Sequence, residues 1–570
     1  MSADSRAFWS ISPRAPEAER RLSATLNVHP TLAAVLVGRG MTEPDQVRAY
    51  LEPSLGNLHD PFGLPDAEQA AERIIKAIAN NEGILVHGDY DADGVTSTAL
   101  LVRFLQKLGA DVHYFIPHRF KDSYGLSARA VRASAGKVAL VIAVDCGVRD
   151  HEVIAAAAAQ GQDVIVVDHH EPGDTLPEPA LVVNPKREDS TYPERELAAV
   201  GLAFKLASAI CLKMDLPEKS LQRAFLDLVA IGTIADVAPL AGENRTMVAS
   251  GLRLLPHTRK IGLQVLLELC ELEEPICARD VAFRVGPRLN AVGRMADASD
   301  ALELLLTGDE VDARRKALEL EGLNRRRRKE QDRIFREAQQ MLEAEDCPEM
   351  DRVVVLGRRG WHRGVIGIVA SKVLEATGLP TVMLAVEGEQ ARGSARSIEQ
   401  FDMADALRHC DDVLLRHGGH RLAAGLELET ARIGDLRQRL NEVGRTVMPE
   451  RVPAGRLAVD CEVGLDEVDE ELVAALALME PCGEGNRSPV LCARGVTALD
   501  VRTVGADDRH LKLMVGDGDR RVECIGFGLG MYKSELSVGA NVDLCFVPNM
   551  NDYMGRSRLQ LQLEDVRPAQ

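Results

Sequence analysis

Three short apolar runs, each ending in acidic or imidazole side chains, constrain this chain more than any other feature. GILVH (83–87) leads into GDYDADG, VALVIAV (138–144) into Asp145, and DVIVV (163–167) into Asp168, His169 and His170. Short runs rich in Val and Ile read as strands buried on both faces. ADVHYFIP (110–117) reads as a further strand. Helical apolar spacing fills the intervals, in 67–80, 96–109 and 151–160, and recurs over about 196–214 and 220–235. Strands alternating with helices specify an α/β unit with a largely parallel sheet covered on both faces. In such sheets functional groups gather beyond the carboxyl ends of the strands.

Three neighbouring strand ends would therefore bring Asp89, Asp91, Asp93, Asp145 and His169 into one cleft. Asp236 follows the apolar run LDLVAIGTIA; it reads equally as a helix cap or as a further ligand. The alternating carboxylates of HGDYDADG (87–94), read as a loop, offer hard oxygen ligands to Mg²⁺ or Mn²⁺. Gly94 permits a tight turn, and Thr96-Ser97-Thr98 can start a helix. A calcium EF-hand fits less well, because a strand precedes the segment where that motif has a helix. Each acid alone has a structural explanation; their joint placement points to metal. About five carboxylates and one or two imidazoles suffice for two cations roughly 3.5–4 Å apart with a bridging carboxylate and water.

HGDYDADG, VDCG, DHH and GTIADVAPL, in this order, resemble the four N-terminal motifs of the DHH phosphoesterase superfamily, and GDYDADGVTSTAL is similar to the wording found in RecJ nucleases. The resemblance implies a metal-dependent phosphodiesterase that hydrolyses single-stranded DNA from the 5′ end to mononucleotides, in DNA repair and recombination. It puts Asp91, Asp93, Asp145, His169 and Asp236 on metal-ligand positions for two Mn²⁺ or Mg²⁺ ions, with Asp145 bridging. It puts His170 against the scissile phosphate. His87 and Asp89 are additional ligand candidates; His87 falls where family II pyrophosphatases carry a ligating His.

The second half of the chain extends the resemblance. In GPRLNAVGRM (286–295), Arg288 would contact substrate phosphate and Asn290 would shape the site. A lone Arg is more often a surface salt bridge. GWHRGVIGIVASKV (360–373) contributes His362, and GSARSIEQFDM (393–403) contributes Ser394, Arg396 and Ser397. HGGHRLAAG (417–425) has the GGH core of a DHHA1 domain, with Gly419 and His420 as substrate contacts. Independently of any family, Gly418 and Gly419 would let backbone amides approach an anion, and His420 and Arg421 can donate to phosphate.

The expected organisation is an N-terminal extension packed on the first domain (1–60), a DHH catalytic domain (61–305), a long connecting helix (306–347), a second α/β domain of DHHA1 type (348–452) and an OB-type β-barrel (453–570). Residues 309–345 contain no Pro and are dense in helix formers. Their basic run NRRRRKE (324–330) reads as a solvated helix face or as a DNA track. In the barrel, Phe527, Phe546 and Tyr553 are either stacking rings or core. PCGEGNRSPV (481–490) departs from the GxGNPEP common in RecJ nucleases at Arg487-Ser488.

A net charge of -19 argues against general affinity for nucleic acid, so a DNA substrate requires a local basic groove. Eleven Cys without a CxxC pair suit reduced thiols in the cytosol. No apolar run approaches the ~20 residues of a membrane helix. Expected partners are single-stranded DNA, a single-strand-binding protein and a helicase, with no membrane. Two rivals stand beside this reading: a DHH enzyme acting on short oligonucleotides, cyclic dinucleotides or pyrophosphate, and a scaffold that has lost catalysis. The second would show missing ligands, and none of the expected acids or histidines is missing.

Overall fold

The computed structural model describes residues 8–122, 125–344, 352–449, 456–553 and 556–569. The first α/β unit is built on a five-stranded, wholly parallel sheet. Its order is Val112–Phe115, Ile84–His87, Leu140–Val144, Asp163–Val167, Leu181–Val183. Ile84, Val86, Ile142, Val144, Ile165 and Val167 pack one face against Ala67–Ala79, Ala92–Lys107 and Ala199–Lys213. Leu85, Val141, Ala143, Val164 and Val166 pack the other against Ile154 and Ala157 of helix His151–Ala159. Both faces are apolar because both are covered. The register aligns the strand ends: His87 lies opposite Ala143, and Val144 opposite Val167. Asp145 and Asp168 therefore leave the sheet side by side.

The 34-residue helix Glu310–Glu343 spans about 50 Å. It packs on Gly286–Met295 and Ile261–Leu269 of the first unit and on Ile366–Thr377 of the second. The second unit has a mixed sheet ordered Leu414–His420, Ala423–Glu429, Gln390–Arg396, Thr381–Glu387, Val354–Arg359, parallel only between the last two. The GGH segment thus lies on an edge strand. Any side chain at Gly419 would meet the Cα of Ala424 at 2.5 Å, so the glycine serves strand packing.

The barrel closes with five strands: Leu491–Val504, His510–Asp517, Arg520–Gly526, Arg556–Pro568 and Asn541–Tyr553, the last pairing back onto the first. Phe546 is fully buried in it and is core. Phe527 is 58% exposed, edge-on to His510 at 5.4 Å. The side chain of Tyr553 lies outside the described residues.

The N-terminal segment corrects one expectation, since it belongs mainly to the barrel. Three of its prolines, Pro16, Pro30 and Pro44, each open a helix, where a missing N–H costs nothing. The helix Pro30–Gly38 buries Leu32, Val35 and Leu36 in the barrel's own core. Phe8–Ile11 adds in parallel to Arg456–Val459, and Trp9 donates from Nε1 to Asp565 Oδ2 at 2.6 Å. The unusual Arg487 has a structural task here. With Arg39 it grips the buried Asp460 carboxylate, at 2.7 and 2.9 Å. Arg245 then ties this assembly to the first α/β unit. Its guanidinium donates to the carbonyls of Tyr50, Met479, Glu480 and Pro481 and stacks on the Tyr50 ring at 4.0 Å. Ten cysteines among the described residues are free thiols. No helix among the described residues is long and apolar enough to cross a membrane.

Candidate active site

The DYDADG segment is less of a loop than its alternation suggests. Helix Ala92–Lys107 starts four residues earlier than the expected 96, because Asp91 caps it, its Oδ1 accepting from the amides of Asp93 (3.0 Å) and Gly94 (3.1 Å). Gly94 is required by close approach: a Cβ there would lie 2.6 Å from the Asp89 nitrogen. Asn290 completes the end of the helix, its Oδ1 accepting from Ala92 N at 2.8 Å. Asp93 is buried in the first turn, and its two oxygens accept from Ala199 N (2.8 Å) and Val200 N (2.9 Å), the start of the next helix. Asp91 thus caps one helix and Asp93, from that helix's first turn, caps another.

Seven of the candidate residues converge. Ligand atoms within 4.8 Å of one another group as Asp89, Asp91 and Asp145; as Asp93, His169 and Asp236; and as Asp145, His169 and His170. Asp145 belongs to two of these groups. It sits at the end of its strand with φ of 61°, a left-handed conformation that Asp tolerates better than most residues. Asp236 caps the C-terminus of Glu218–Ala235 and brings its carboxylate to 3.8 Å from His169 Nε2.

The electrostatics are unfavourable as they stand. Burial, then the charge of Asp91, raises the Asp89 carboxyl well above its ordinary value. The same two causes push Asp93 up to about 7, against the pull of its two amide donors. Burial and then Asp93 and Asp91 push Asp236 up to about 8. Asp145 is raised by burial and by all four neighbouring aspartates. One buried oxygen each of Asp89 and Asp145 lacks a hydrogen-bond donor. His169 Nε2 lies 3.2 Å from the Asp145 oxygen, yet not in hydrogen-bond geometry, as expected of two ligand atoms aimed at a common third point. Burial and the neighbouring His170 lower His169 to about 4, so it is a neutral imidazole with a lone pair to give. Mutually repelling acids, orphaned oxygens and a neutral imidazole fit hard divalent cations.

His170 has the opposite chemistry. Burial disfavours its charge, but its hydrogen bond to Asp168, Nδ1 to Oδ1 at 2.7 Å, outweighs this and raises it to about 9. It is a cationic donor at neutral pH. Asp168 is itself buried and held by the amides of Val148 and His170. It acts on the site through His170. The Asp168→Asn variant should let the His170 pKa drop toward or below its ordinary value. The alkaline limb of the kcat/KM pH profile should then move down by about two pH units; an unmoved limb would remove Asp168 from this role.

The remaining candidates are outside the converging ligand groups. His87 points into the opposite face of the sheet, where Nε2 accepts from Ser127 N at 3.0 Å and the ring packs on Phe115 at 5.2 Å. Strand alternation puts it with Leu85, away from the cleft. Arg288 is bound at 2.8 Å to Glu321 of the long helix and donates to Arg284 O at 2.6 Å, so it braces the scaffold. The Ser397 hydroxyl donates to Phe401 O at 2.6 Å. His420 is exposed at the end of its edge strand. The Arg396 Nη1 donates to Ser394 Oγ at 3.2 Å and to its neighbour's carbonyl. His362 receives Gly364 N on Nδ1 at 3.1 Å.

The sequence reading missed Arg119 and Arg294. Arg119 lies over the Tyr90 ring at 4.8 Å, beside the acidic turn. Burial and then Arg119 lower both Arg294, to about 10, and Arg396. The three arginines lie close enough to one another to disfavour each other's charge, and with Arg119 over Tyr90 they concentrate positive charge near the acidic turn, suited to phosphate. Arg119 follows the strand Val112–Phe115, so the strand-end rule that found the acids could have found it too.

Comparison with known proteins settles the family. Residues 83–233 match the N-terminal domain of the DHH family, 351–445 the DHHA1 domain and 459–565 the RecJ OB domain. The chain is 36% identical to the single-stranded-DNA-specific exonuclease RecJ of Bacillus subtilis (strain 168), over 99% of this chain and 71% of that one. The chain belongs to the RecJ family. A second RecJ relative, from Escherichia coli (strain K12), is 32% identical over 98% of this chain and 99% of its own. The crystal structure of RecJ in complex with Mn²⁺ from Thermus thermophilus superposes with a TM-score of 0.86 at 34% identity, covering 99% of this chain and 80% of that one. A RecJ complex with Mg²⁺ from the same source gives a TM-score of 0.80 at 32% identity over 99% and 79%. The RecJ architecture accounts for all three units, and the acid–imidazole cluster is a group of residues that could hold metal ions.

Proposed function

We propose that the chain is a metal-dependent exonuclease that hydrolyses single-stranded DNA from the 5′ end, releasing mononucleotides. The observation that carries this reading is the buried cluster of five aspartates and His169 with Arg119, Arg294 and Arg396 near it. Asp89, Asp91 and Asp145 would hold one cation and Asp93, His169 and Asp236 the other, with Asp145 between them. Two divalent cations there supply a nucleophilic water near neutral pH and neutralise charge on the phosphate in an in-line displacement. The chain's own contributions are positional. Cationic His170 donates to a non-bridging oxygen of the scissile phosphate, where charge grows in the transition state. The three arginines fix the phosphate ester at the strand terminus, and Asn290 keeps the capping turn in register.

The setting this supports is DNA repair and recombination in the cytosol, with a helicase and a single-strand-binding protein presenting the strand. The deciding experiment is digestion of 5′- and 3′-labelled single and double strands with Mn²⁺, Mg²⁺ or chelator. A 5′ label should appear as mononucleotide at once, a 3′ label late, and duplex should persist. Early release of the 3′ label would reverse the assigned polarity, and equal loss of duplex would remove the single-strand preference.

A further inference from the structure

Helical geometry splits the basic run of the long helix into separate faces. Arg325 turns to Glu321 at 3.5 Å. Arg327 turns inward, to Asn324 Oδ1 at 2.9 Å and Gln331 Oε1 at 3.0 Å. Arg326, Lys329 and Arg333, three and four residues apart, share a face and line one cavity of about 650 Å³. Phe120 and Met295 of the catalytic unit form one wall, and His362 and Arg363 of the second unit form another.

The cavity holds more positive than negative charge. Arg333 is neutralised by Glu330 at 2.5 Å and Glu337 at 2.7 Å. Arg326 and Lys329 make no ion pair or hydrogen bond among the described residues. Arg363 lies over the Phe120 ring at 4.2 Å and has no acidic partner among the described residues. Of the two lining carboxylates, Glu330 is held by Arg333 and Glu387 is exposed. His362 accepts on Nδ1, so its proton is on Nε2, and burial keeps the ring neutral. Three cations and a neutral donor in a chain of net charge -19 describe an anion site.

Its position relates it to the metal centre. Phe120 meets His362 edge-on at 5.9 Å. Its chain neighbour Arg119 faces the acidic turn, and Arg294, the neighbour of Met295, donates to Gly364 O at 3.3 Å. The chain neighbours of two cavity residues, Phe120 and Met295, are thus the arginines near the acidic turn, which puts the cavity next to the site. The volume falls in the range of small-molecule sites, about 300–1,000 Å³. The unpartnered cations line one cavity.

We propose that this cavity binds a nucleoside 5′-monophosphate, the product leaving the metal centre past Phe120. The phosphomonoester dianion sits among Arg326, Lys329 and Arg363, with His362 Nε2 donating to it. The proposal rests on the exonuclease reading for the identity of the product, but its test does not depend on turnover. A fluorescent dAMP analogue is titrated into the full chain in EDTA, where the metal centre cannot recruit the phosphate. The analogue should bind, be displaced by dAMP, and be displaced poorly by deoxyadenosine or inorganic phosphate. The double variant Arg326→Ala, Lys329→Ala should weaken binding by at least about 10-fold, because two charge-assisted contacts are lost. Both positions are exposed on a helix and Ala is the best helix former, so the variant folds. Absent binding in EDTA, or unchanged affinity in the double variant, overturns the site. Displacement by inorganic phosphate as effective as by dAMP overturns the nucleotide assignment. A short oligothymidylate displacing far better than dAMP makes the cavity a strand track and overturns the product assignment. Failure of the exonuclease reading would appear separately, in the labelled-strand digest.

Discussion

The Asp145→Asn variant should lose strand hydrolysis by on the order of 10³-fold while melting within a few degrees of the parent. The prediction is sharp because of where Asp145 sits. It belongs to two of the three ligand groupings, so its loss disturbs both cation positions at once. Its backbone has φ of 61°, and Asn accepts that conformation as readily as Asp. One of its oxygens has no donor in the protein, so an amide there breaks no existing hydrogen bond. Asp93→Ala looks equivalent from sequence but tests two things together. It would remove a ligand and also leave the amides of Ala199 and Val200 unsatisfied in the interior, a cost of about 1–3 kcal/mol for each buried donor. Steady-state rates and thermal melts on the Asn variant check the claim. Retained activity would take Asp145 out of the centre, and a collapsed melting curve would mean that the residue holds the fold instead.

The same contrast explains how much was legible in the sequence. Strands ending in acids were readable because a doubly covered sheet demands apolar runs, and the chemistry must begin where they stop. That rule found Asp89, Asp91, Asp93, Asp145 and His169. His87 was offered by the family resemblance instead, but the last strand residue still obeys the two-residue alternation: His87 follows Leu85 to the far face and meets Ser127 N. The strand-end rule overlooked Arg119 because arginine after a strand carries no metal signal. Arg288 and Arg294 share a segment and a helix, yet six residues apart they face different ways. One is claimed by Glu321 and the other reaches the site. No local pattern decides between them; the position of the long helix does. The N-terminal segment was misplaced for a related reason. Prolines that read as an irregular extension are helix starts, and the barrel that covers those helices lies more than 400 residues away in sequence.

Stripped of divalent cations, the protein should lose stability as pH rises from about 6 to about 8, and added Mn²⁺ should reverse that trend. The sign follows from the raised carboxyls. Asp93 at about 7 and Asp236 at about 8 hold protons in the folded state that an unfolded chain, with Asp near 3.8, has already released. Asp89 and Asp145 are shifted in the same direction. A group raised on folding contributes stability that is complete below its unfolded value and is lost as pH climbs through its folded value. Near pH 4 the opposite type of acid intervenes: Asp168, lowered by His170 against the cost of burial, needs its charge there. Between pH 6 and 8 the raised carboxyls set the trend, and His170, raised to about 9, adds to it in the same direction, because an unfolded imidazole releases its proton there while the folded one keeps it. Bound cations remove the penalty, because they need the ligands deprotonated and bind more tightly as pH rises. Saturation at about 100 times Kd adds roughly 2.7 kcal/mol. Melting temperatures measured across that window, with EDTA and with Mn²⁺, should diverge as pH increases. The divergence should shrink in Asp145→Asn, which has one fewer acid to discharge and one fewer ligand to offer. Parallel curves, or a metal shift untouched by that substitution, would place the stabilising ion elsewhere on the molecule.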